Sequence, residues 1–320
     1  MTTTDHQHHD GTQHPHAQDG ARAHGAHSHD GAHSHDGTHG HDGTHPHAHD
    51  EADAPALAEL LDLDALVLQD YLTEITTWVQ HLVAADLTVT RVLDLGAGTG
   101  TGTIALAARF PDAQMLALDF SPAMLARVQH AAHAAGLTER VTAVSADLNT
   151  GWPNVDPVDV VWSASALHEM AQPERLLRDV FGALTPGGLF VAVEMDAPPR
   201  FLPDDIGFGR PGLETRQHAA VDAKGVAFSH PNWGPRLEQA GFDDVLERTF
   251  VIDLPAPQPA ATGRYARAYL VRVRGVLQDL LAADDLAALD TLLGDGPGSL
   301  LHRGDLTVRT SRTAWVGRRP

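Results

Sequence analysis

Residues 92–102, VLDLGAGTGTG, decide the fold of this chain, because a short apolar run leads directly into a glycine-rich turn and then into helix-forming residues. Glycines at such a turn let a ligand lie against bare backbone at the carboxyl end of a strand. A GxGxxG dinucleotide fingerprint counted from Gly96 or Gly98 needs its third glycine at position 101 or 103, and both positions are threonine. The turn therefore predicts a ligand loop, and it disfavours, as an alternative, the pyrophosphate loop of an NAD-linked oxidoreductase.

Short apolar segments and helical segments alternate on both sides of this turn, which is typical of a doubly wound α/β fold. Leucines at helical spacing over 55–87 predict one or two amphipathic helices before the first strand. Strands are predicted at Arg91–Leu95, Gln114–Asp119, Val141–Ser145, Val158–Ser163, Gly188–Glu194, Val245–Asp253 and Leu306–Gly317. Helices are predicted at Gly102–Phe110, Pro122–Ala135, Pro173–Leu184 and Asn232–Ala240.

Five sequence elements, in order over about residues 90–195, carry a resemblance to a known family. They are DLGAGTGTGT at 94–103, MLALD ending in Asp119, VSADL containing Asp147, the segment Asp159–Met170, and LTPGG at 184–188. This series resembles the class I S-adenosylmethionine-dependent methyltransferases, and AGF at 240–242 extends the likeness towards the C-terminus. The resemblance implies a Rossmann-like seven-stranded sheet with an antiparallel last strand, S-adenosylmethionine as cofactor, and methyl transfer to an O, N or C atom of a small organic acceptor.

The resemblance also implies a cofactor site along the first strands. Asp119 is the expected ribose ligand, because a carboxylate at a strand end can accept hydrogen bonds from two vicinal hydroxyls. Alternatively, Asp119 is a carboxylate that stabilises the N-terminus of the next helix. Its position 19 residues after Gly100 favours the role of ribose ligand. Asp147 is expected at the adenine, or alternatively caps its own turn. The full predicted set is Asp94, Gly96, Ala97, Gly98, Thr99, Gly100, Asp119, Phe120, Met124, Asp147, Leu148 and Ser163.

His168 and Glu169 follow the fourth strand, at the sheet edge where ligands bind in such folds, and are the candidate catalytic residues. His168 is either a general base or part of the pocket wall. Glu194 and Asp196, at the end of the fifth strand, are second candidates. Residues 163–166 are Ser-Ala-Ser-Ala, which disfavours base amino-methylation of the NPPY type and supplies no metal ligands of the catechol type. The absence of cysteine excludes thiol-dependent methylation, so a small organic molecule is the expected acceptor.

Composition narrows the partners further. The chain carries a formal charge of −20, contains one lysine and no basic run, and so lacks the electrostatic footprint of a nucleic-acid-binding protein. No apolar run approaches the roughly 20 residues of a membrane span, and the start MTTTDHQHHD has no secretory signal features. We therefore expect a cytoplasmic protein without nucleic-acid or membrane partners.

The first 50 residues differ from the rest, since they hold 15 of the 22 histidines and almost no large apolar residues. Such low complexity predicts disorder. Repeated His-x-His-Asp units suit Zn, Ni, Cu or Co, although a solubilising, pH-responsive tail is the plainer interpretation. A metal-handling protein that acts through this tail is the alternative to the enzyme. The candidate Zn or Ni ligands are His27, His29, His33, His35, His39, His41, His45, His47 and His49.

The expected organisation is a tail at 1–50, N-terminal helices at 51–88 and a methyltransferase domain at 89–320 with insertions at about 197–232 and 255–300. Aromatic and polar residues in the first insertion suit an acceptor pocket or a surface loop. Apolar residues at helical spacing in the second, over about 262–292, indicate core packing or the face of a homodimer, and less readily an acceptor pocket.

Overall fold

A computed structural model describes residues 53–223 and 230–320. Seven strands form one sheet in the order β3-β2-β1-β4-β5-β7-β6. The first five strands run parallel, whereas β7 is antiparallel to both β5 and β6. The strands are β1 Arg91–Leu95, β2 Gln114–Asp119, β3 Val141–Ser145, β4 Val158–Ala164, β5 Leu184–Met195, β6 Asp243–Leu254 and β7 Val308–Arg318. The predicted doubly wound sheet with an antiparallel last strand is confirmed.

Helices cover both faces of the sheet. Two precede β1, as the leucine spacing predicted, and two occupy the insertion between β6 and β7. The helices are α1 Ala54–Val67, α2 Gln69–Leu82, α3 Thr101–Arg109, α4 Pro122–Ala134, α5 Pro173–Ala183, α6 Leu213–Ala223, α7 Gly234–Ala240, α8 Ala260–Leu277 and α9 Ala283–Leu293. Helix α6 had no sequence prediction, and β5 begins four residues before its predicted start because LTPGG joins the strand.

The period-two alternation of the strands divides the core into two layers. On β1, Val92 packs in the layer that contains α2, α3 and α8, while Leu93 and Leu95 pack in the layer that contains α5 and α7. Adjacent strands continue the pattern, since successive side chains point to opposite faces. Burial on both faces explains why these strands read as continuous apolar runs rather than as alternating ones.

The topology brings the predicted site residues to one edge. Parallel strands β1, β2, β4 and β5 end on the same side of the sheet, and β7 adds Arg312 there, opposite Met195 of β5. Helix α1 reaches the same edge, where the Cδ1 atom of Leu61 lies 3.2 Å from the position that a Cβ on Gly98 would occupy. None of the helices in the described ranges has the length and apolar character needed to cross a bilayer.

Candidate functional site

The glycine loop after β1 is built from three left-handed residues. Gly96, Gly98 and Gly100 have φ values of +67°, +54° and +86°, which L side chains rarely adopt. A Cβ on Gly96 would lie 2.7 Å from the Cβ of Ala166, and one on Gly100 would lie 3.1 Å from the Cα of Val128. The glycines are thus required both by backbone conformation and by close approach of neighbouring chain.

Asp119 joins the end of β2 to this loop. The backbone N–H of Gly98 donates to its Oδ2 atom at 2.9 Å, and the N–H of Ser121 donates to Oδ1 at 2.9 Å. The residue is 8% exposed, so it lies at the inner surface of the edge rather than in bulk solvent. Each oxygen of an ionised carboxylate can accept more than one hydrogen bond.

Asp94 lies beneath the loop. Its Oδ2 atom accepts a hydrogen bond of 2.6 Å from the hydroxyl of Thr103, in the first turn of α3. Gly102 leaves space for both Asp94 and the indole nitrogen of Trp162, which a Cβ would meet at 3.3 and 3.0 Å. Burial raises the pKa of Asp94 to about 7, and the negative charge of Asp119 raises it further. The hydrogen bond from Thr103 acts in the opposite direction and lowers the pKa. The Asp94 side chain thus contacts the start of α3, just after the loop.

This burial predicts a pH-dependent cost. Since the pKa rises from 3.8 to about 7 on folding, the penalty for ionising Asp94 is absent at low pH, grows as the pH rises through this window, and is complete above it. We expect Asp94→Asn to raise the free energy of unfolding by roughly 2–4 kcal/mol at pH 8 and by less at pH 5. Urea unfolding at both pH values measures this, with exposed Asp112→Asn as control. An equal effect of Asp94→Asn at the two pH values would contradict the raised pKa.

The other predicted cofactor residues surround the loop. Phe120 is 58% exposed beside Asp119, while the hydroxyl of Thr99 is buried without a hydrogen-bond partner in the described part of the chain. Ala97, Met124, Leu148 and Ser163 are buried. The Asp147 side chain accepts from the N–H of Asn149 at 2.9 Å, so it caps its own turn. Its proposed contact with adenine stays a prediction, as do the ligand roles of the whole set.

The two candidate catalytic residues lie on a 3-10 turn, Leu167–Glu169, that follows β4. The Nδ1 atom of His168 is 2.7 Å from Oε2 of Glu194, and its Nε2 atom is 3.2 Å from Oε1 of Glu169. Hydrogen bonds to Glu169 and Glu194 raise the pKa of His168 to about 10, although burial opposes this. Glu194 is thus a direct partner of His168. The sequence places Glu194 only among the second candidates and does not predict this pairing.

A second histidine pairs with the other second candidate. The Nε2 atom of His230 lies 3.3 Å from Oδ1 of Asp196, and its Nδ1 atom lies 3.1 Å from the carbonyl oxygen of Pro231. His230 also meets the Trp315 ring edge-on, with 5.1 Å between ring centroids. This pair connects the first insertion to the end of β5.

Two residues that the sequence did not single out, Asp64 and Arg312, connect α1 to this edge together with Tyr265, which was expected only as a packing residue of the second insertion. Asp64 of α1 accepts hydrogen bonds on Oδ1 from Arg312 of β7 at 2.5 Å and from the hydroxyl of Tyr265 of α8 at 2.6 Å. An acidic residue inside a leucine-rich helix was the available signal. Its partners, however, lie 201 and 248 residues away in sequence, so no local pattern could identify them.

The predicted metal ligands, His27 to His49, lie outside the described residues. Within residues 53–223 and 230–320, no group of three or more His, Asp or Glu side chains is arranged to hold a metal ion. Metal binding by the tail stays a prediction from the sequence.

Comparison with known proteins identifies what the region around the glycine loop resembles. Residues 92–188 match a family model described as a methyltransferase domain. These residues are therefore similar to a methyltransferase domain. The matched region begins in β1 and ends in β5, so it covers the glycine loop, Asp119 and the turn that carries His168.

Relatives extend the likeness beyond the residues that match the family model. Over 177 residues the chain is 33% identical to trans-aconitate 2-methyltransferase of Methylobacterium radiotolerans, which covers 55% of this chain and 60% of that protein. Over 221 residues it is 28% identical to trans-aconitate 2-methyltransferase of Yersinia pseudotuberculosis, covering 64% and 81%. Over 110 residues it is 36% identical to demethylmenaquinone methyltransferase of Thermus thermophilus, covering 34% and 49%. The chain thus spans about half to three fifths of the length of two of these relatives.

Proposed function

We propose that this protein transfers a methyl group from S-adenosylmethionine to a small organic acceptor. The observation that carries the proposal is the joining of the glycine loop to Asp119, through the hydrogen bond from Gly98, within a region that matches a methyltransferase family model. A cradle of bare backbone beside a carboxylate suits a nucleoside that carries vicinal hydroxyls.

The residues present fit S-adenosylmethionine. Gly96 and Gly98 provide a backbone surface without side chains, the buried hydroxyl of Thr99 has a donor to offer, and the exposed ring of Phe120 offers an apolar face beside Asp119. When bound, the cofactor supplies an electrophilic methyl group on a sulfonium. The task of the chain is to orient the acceptor and exclude water, because in-line displacement depends mainly on positioning.

The relatives suggest where to look for the acceptor. Two of them are named for trans-aconitate and one for demethylmenaquinone, so both compounds belong in the first acceptor panel. Release of S-adenosylhomocysteine is the readout, since this product forms whichever atom of the acceptor is methylated. A homodimer, a cytoplasmic location and Zn or Ni binding by the tail stay predictions from the sequence.

Calorimetric titration of the full chain tests the cofactor assignment. We expect saturable binding of S-adenosylmethionine and S-adenosylhomocysteine, and none of NAD. Asp119→Ala is expected to weaken the binding of both roughly 10- to 100-fold, the range for a hydrogen bond to a charged group. Asp112→Ala, an exposed change just before the same strand, is the control and should leave the affinity unchanged. Unaltered affinity in Asp119→Ala would contradict the assignment of Asp119 as the ribose ligand. Failure of the wild type to bind S-adenosylmethionine or S-adenosylhomocysteine would overturn the proposed function.

A further inference from the structure

The imidazole of His168 bridges two neighbouring strands at the proposed methyl-transfer edge. It lies just after β4, and Glu194 is the penultimate residue of β5, which pairs with β4 in parallel. The His168 side chain is 41% exposed, while that of Glu194 is 2% exposed. One edge of the ring is therefore fixed to a buried carboxylate, while the rest of the ring is partly exposed at this edge of the sheet.

Both ring nitrogens face carboxylate oxygens. Glu194 holds the residue twice, since Oε1 accepts from the His168 backbone N–H at 3.2 Å and Oε2 meets Nδ1 at 2.7 Å. Glu169 meets Nε2 at 3.2 Å and is itself 28% exposed. An ionised carboxylate can only accept hydrogen bonds, so both nitrogens must carry protons for both contacts to be favourable. This geometry describes an imidazolium, which has no lone pair with which to take a proton from an acceptor.

The charged groups that act on the ring come from its own turn and from β5. Glu169 and Glu194 both favour the protonated ring, and desolvation opposes it. Arg175 of α5, the nearest cation along the chain, donates instead to the carbonyl oxygens of Leu148 and Asn149. Asp196, two residues beyond Glu194, pairs with His230.

We propose that His168 orients an anionic oxygen of the acceptor by donating a hydrogen bond from Nε2, and that Glu194 is the positioning residue that keeps the ring doubly protonated. The inference rests on the proposed function. Of the two contacts, the one to Glu169 is longer and more exposed, so Nε2 is the donor that an incoming oxygen can take over. The shorter contact to buried Glu194 persists and fixes the ring plane.

This role defines the acceptor class. Without a base, the acceptor must arrive with its nucleophilic oxygen already ionised at neutral pH, as in a carboxylate. A lone pair of that oxygen forms the new bond to the methyl carbon while the carbon–sulfur bond breaks and its electron pair returns to sulfur. The products are a methyl ester and a thioether, and no proton is released.

Nitrogen NMR of the full chain, labelled in histidine, tests the protonation state without any cofactor. His168→Gln assigns the signals by difference, and His133→Gln, a change on α4, is the control. We expect both ring nitrogens of His168 to remain protonated through pH 8 and to titrate near pH 10. Glu194→Gln should lower that pKa by about 1–3 units, the usual effect of one close opposite charge. Glu169→Gln should lower it less because solvent screens the more exposed carboxylate, and Glu174→Gln, an exposed control, should leave it unchanged. A neutral His168 ring titrating between pH 6 and 7 overturns the proposal whether or not S-adenosylmethionine binds.

Acceptor kinetics test the donor role. With carboxylic acids including trans-aconitate, and with alcohols and amines as comparison, we expect only acids to be methylated and kcat/KM to be level between pH 6 and 8.5. His168→Gln should lower kcat/KM roughly 10- to 100-fold, mainly through KM for the acid, and leave the Kd of S-adenosylmethionine unchanged. A limb of kcat/KM that rises with pH near 6.5 and vanishes in His168→Gln would restore the general base. Methylation of amines or alcohols alone, or of no acid by a protein that binds the cofactor, also overturns the acceptor class.

Discussion

Replacing Gly96 with alanine is expected to lower the affinity for S-adenosylmethionine by roughly 100-fold or more, because strain and steric contact each cost on the order of 1–3 kcal/mol. The residue has a φ of +67°, which disfavours any L side chain. The added Cβ would lie 2.7 Å from the Cβ of Ala166, a separation that forces one segment to move. Both segments line the proposed site, since Ala166 immediately precedes the turn that carries His168.

Gly136 provides a matched control for the strain. Its φ is +70°, yet a Cβ there would meet nothing within 4 Å. Gly136→Ala therefore introduces similar backbone strain without the contact, and we expect a stability loss of about 1–2 kcal/mol with unchanged cofactor affinity. Titration calorimetry and thermal unfolding of the two variants separate the causes.

A second variant isolates the contact between the two loops. Ala166→Gly removes the opposing methyl group, so Gly96→Ala combined with Ala166→Gly should regain part of the lost affinity and retain only the strain. Wild-type affinity in Gly96→Ala would show that the loop does not hold the cofactor. Failure of the double variant to recover any affinity would show that the contact with Ala166 is not the cause.

Local sequence pattern was sufficient to predict the strands of the sheet and the position of the glycine loop. Strand β1 and the glycines of its turn are adjacent in sequence, and Gly96, Gly98 and Gly100 share a left-handed backbone that favours glycine. Asp119 ends a recognisable strand, and parallel strands must end at a common edge, so its approach to the loop follows from the fold class. The antiparallel placement of β7 came from the resemblance to the family.

The partners and protonation states of individual side chains could not be predicted from local sequence pattern. His168 was a candidate base because it follows β4, but its protonation depends on Glu194, which is 26 residues away and reaches it through the pairing of β4 with β5. Helix α6 was missed because its residues, LETRQHAAVDA, have little amphipathic pattern. It is held instead by tertiary contact, since Glu214 accepts hydrogen bonds from the backbone of Phe201 and Leu202.

Loss of the partly buried pair between Asp64 and Arg312 is expected to reduce stability. Their side chains are 19% and 15% exposed, and the Arg312 guanidinium also lies 5.2 Å from the centroid of the Tyr71 ring. Tyr265 donates to the same carboxylate oxygen as Arg312. One carboxylate thus connects α1, α2, α8 and β7 at the sheet edge.

Asp64→Ala removes the carboxylate that pairs with the Arg312 guanidinium. The Nε atom of Arg312 already lacks a hydrogen-bond partner among the described residues. We expect the free energy of unfolding to fall by about 3–5 kcal/mol, the range for breaking one side of a buried ion pair. For a domain of this size, the midpoint of thermal unfolding should fall by roughly 10 °C. Because Leu61 of α1 lies against the glycine loop, cofactor affinity should fall as well.

The same helix supplies the control for this change. Asp62, two residues earlier, pairs with Arg127 at 3.2 Å, but the two side chains are 42% and 47% exposed. Asp62→Ala is therefore expected to cost less than about 1 kcal/mol. Asp64→Ala combined with Arg312→Met should cost less than the sum of the single changes, because the double variant removes both charges from the buried site. Equal unfolding midpoints for Asp62→Ala and Asp64→Ala would mean that the contacts of Asp64 with Arg312 and Tyr265 do not hold α1 against the glycine loop.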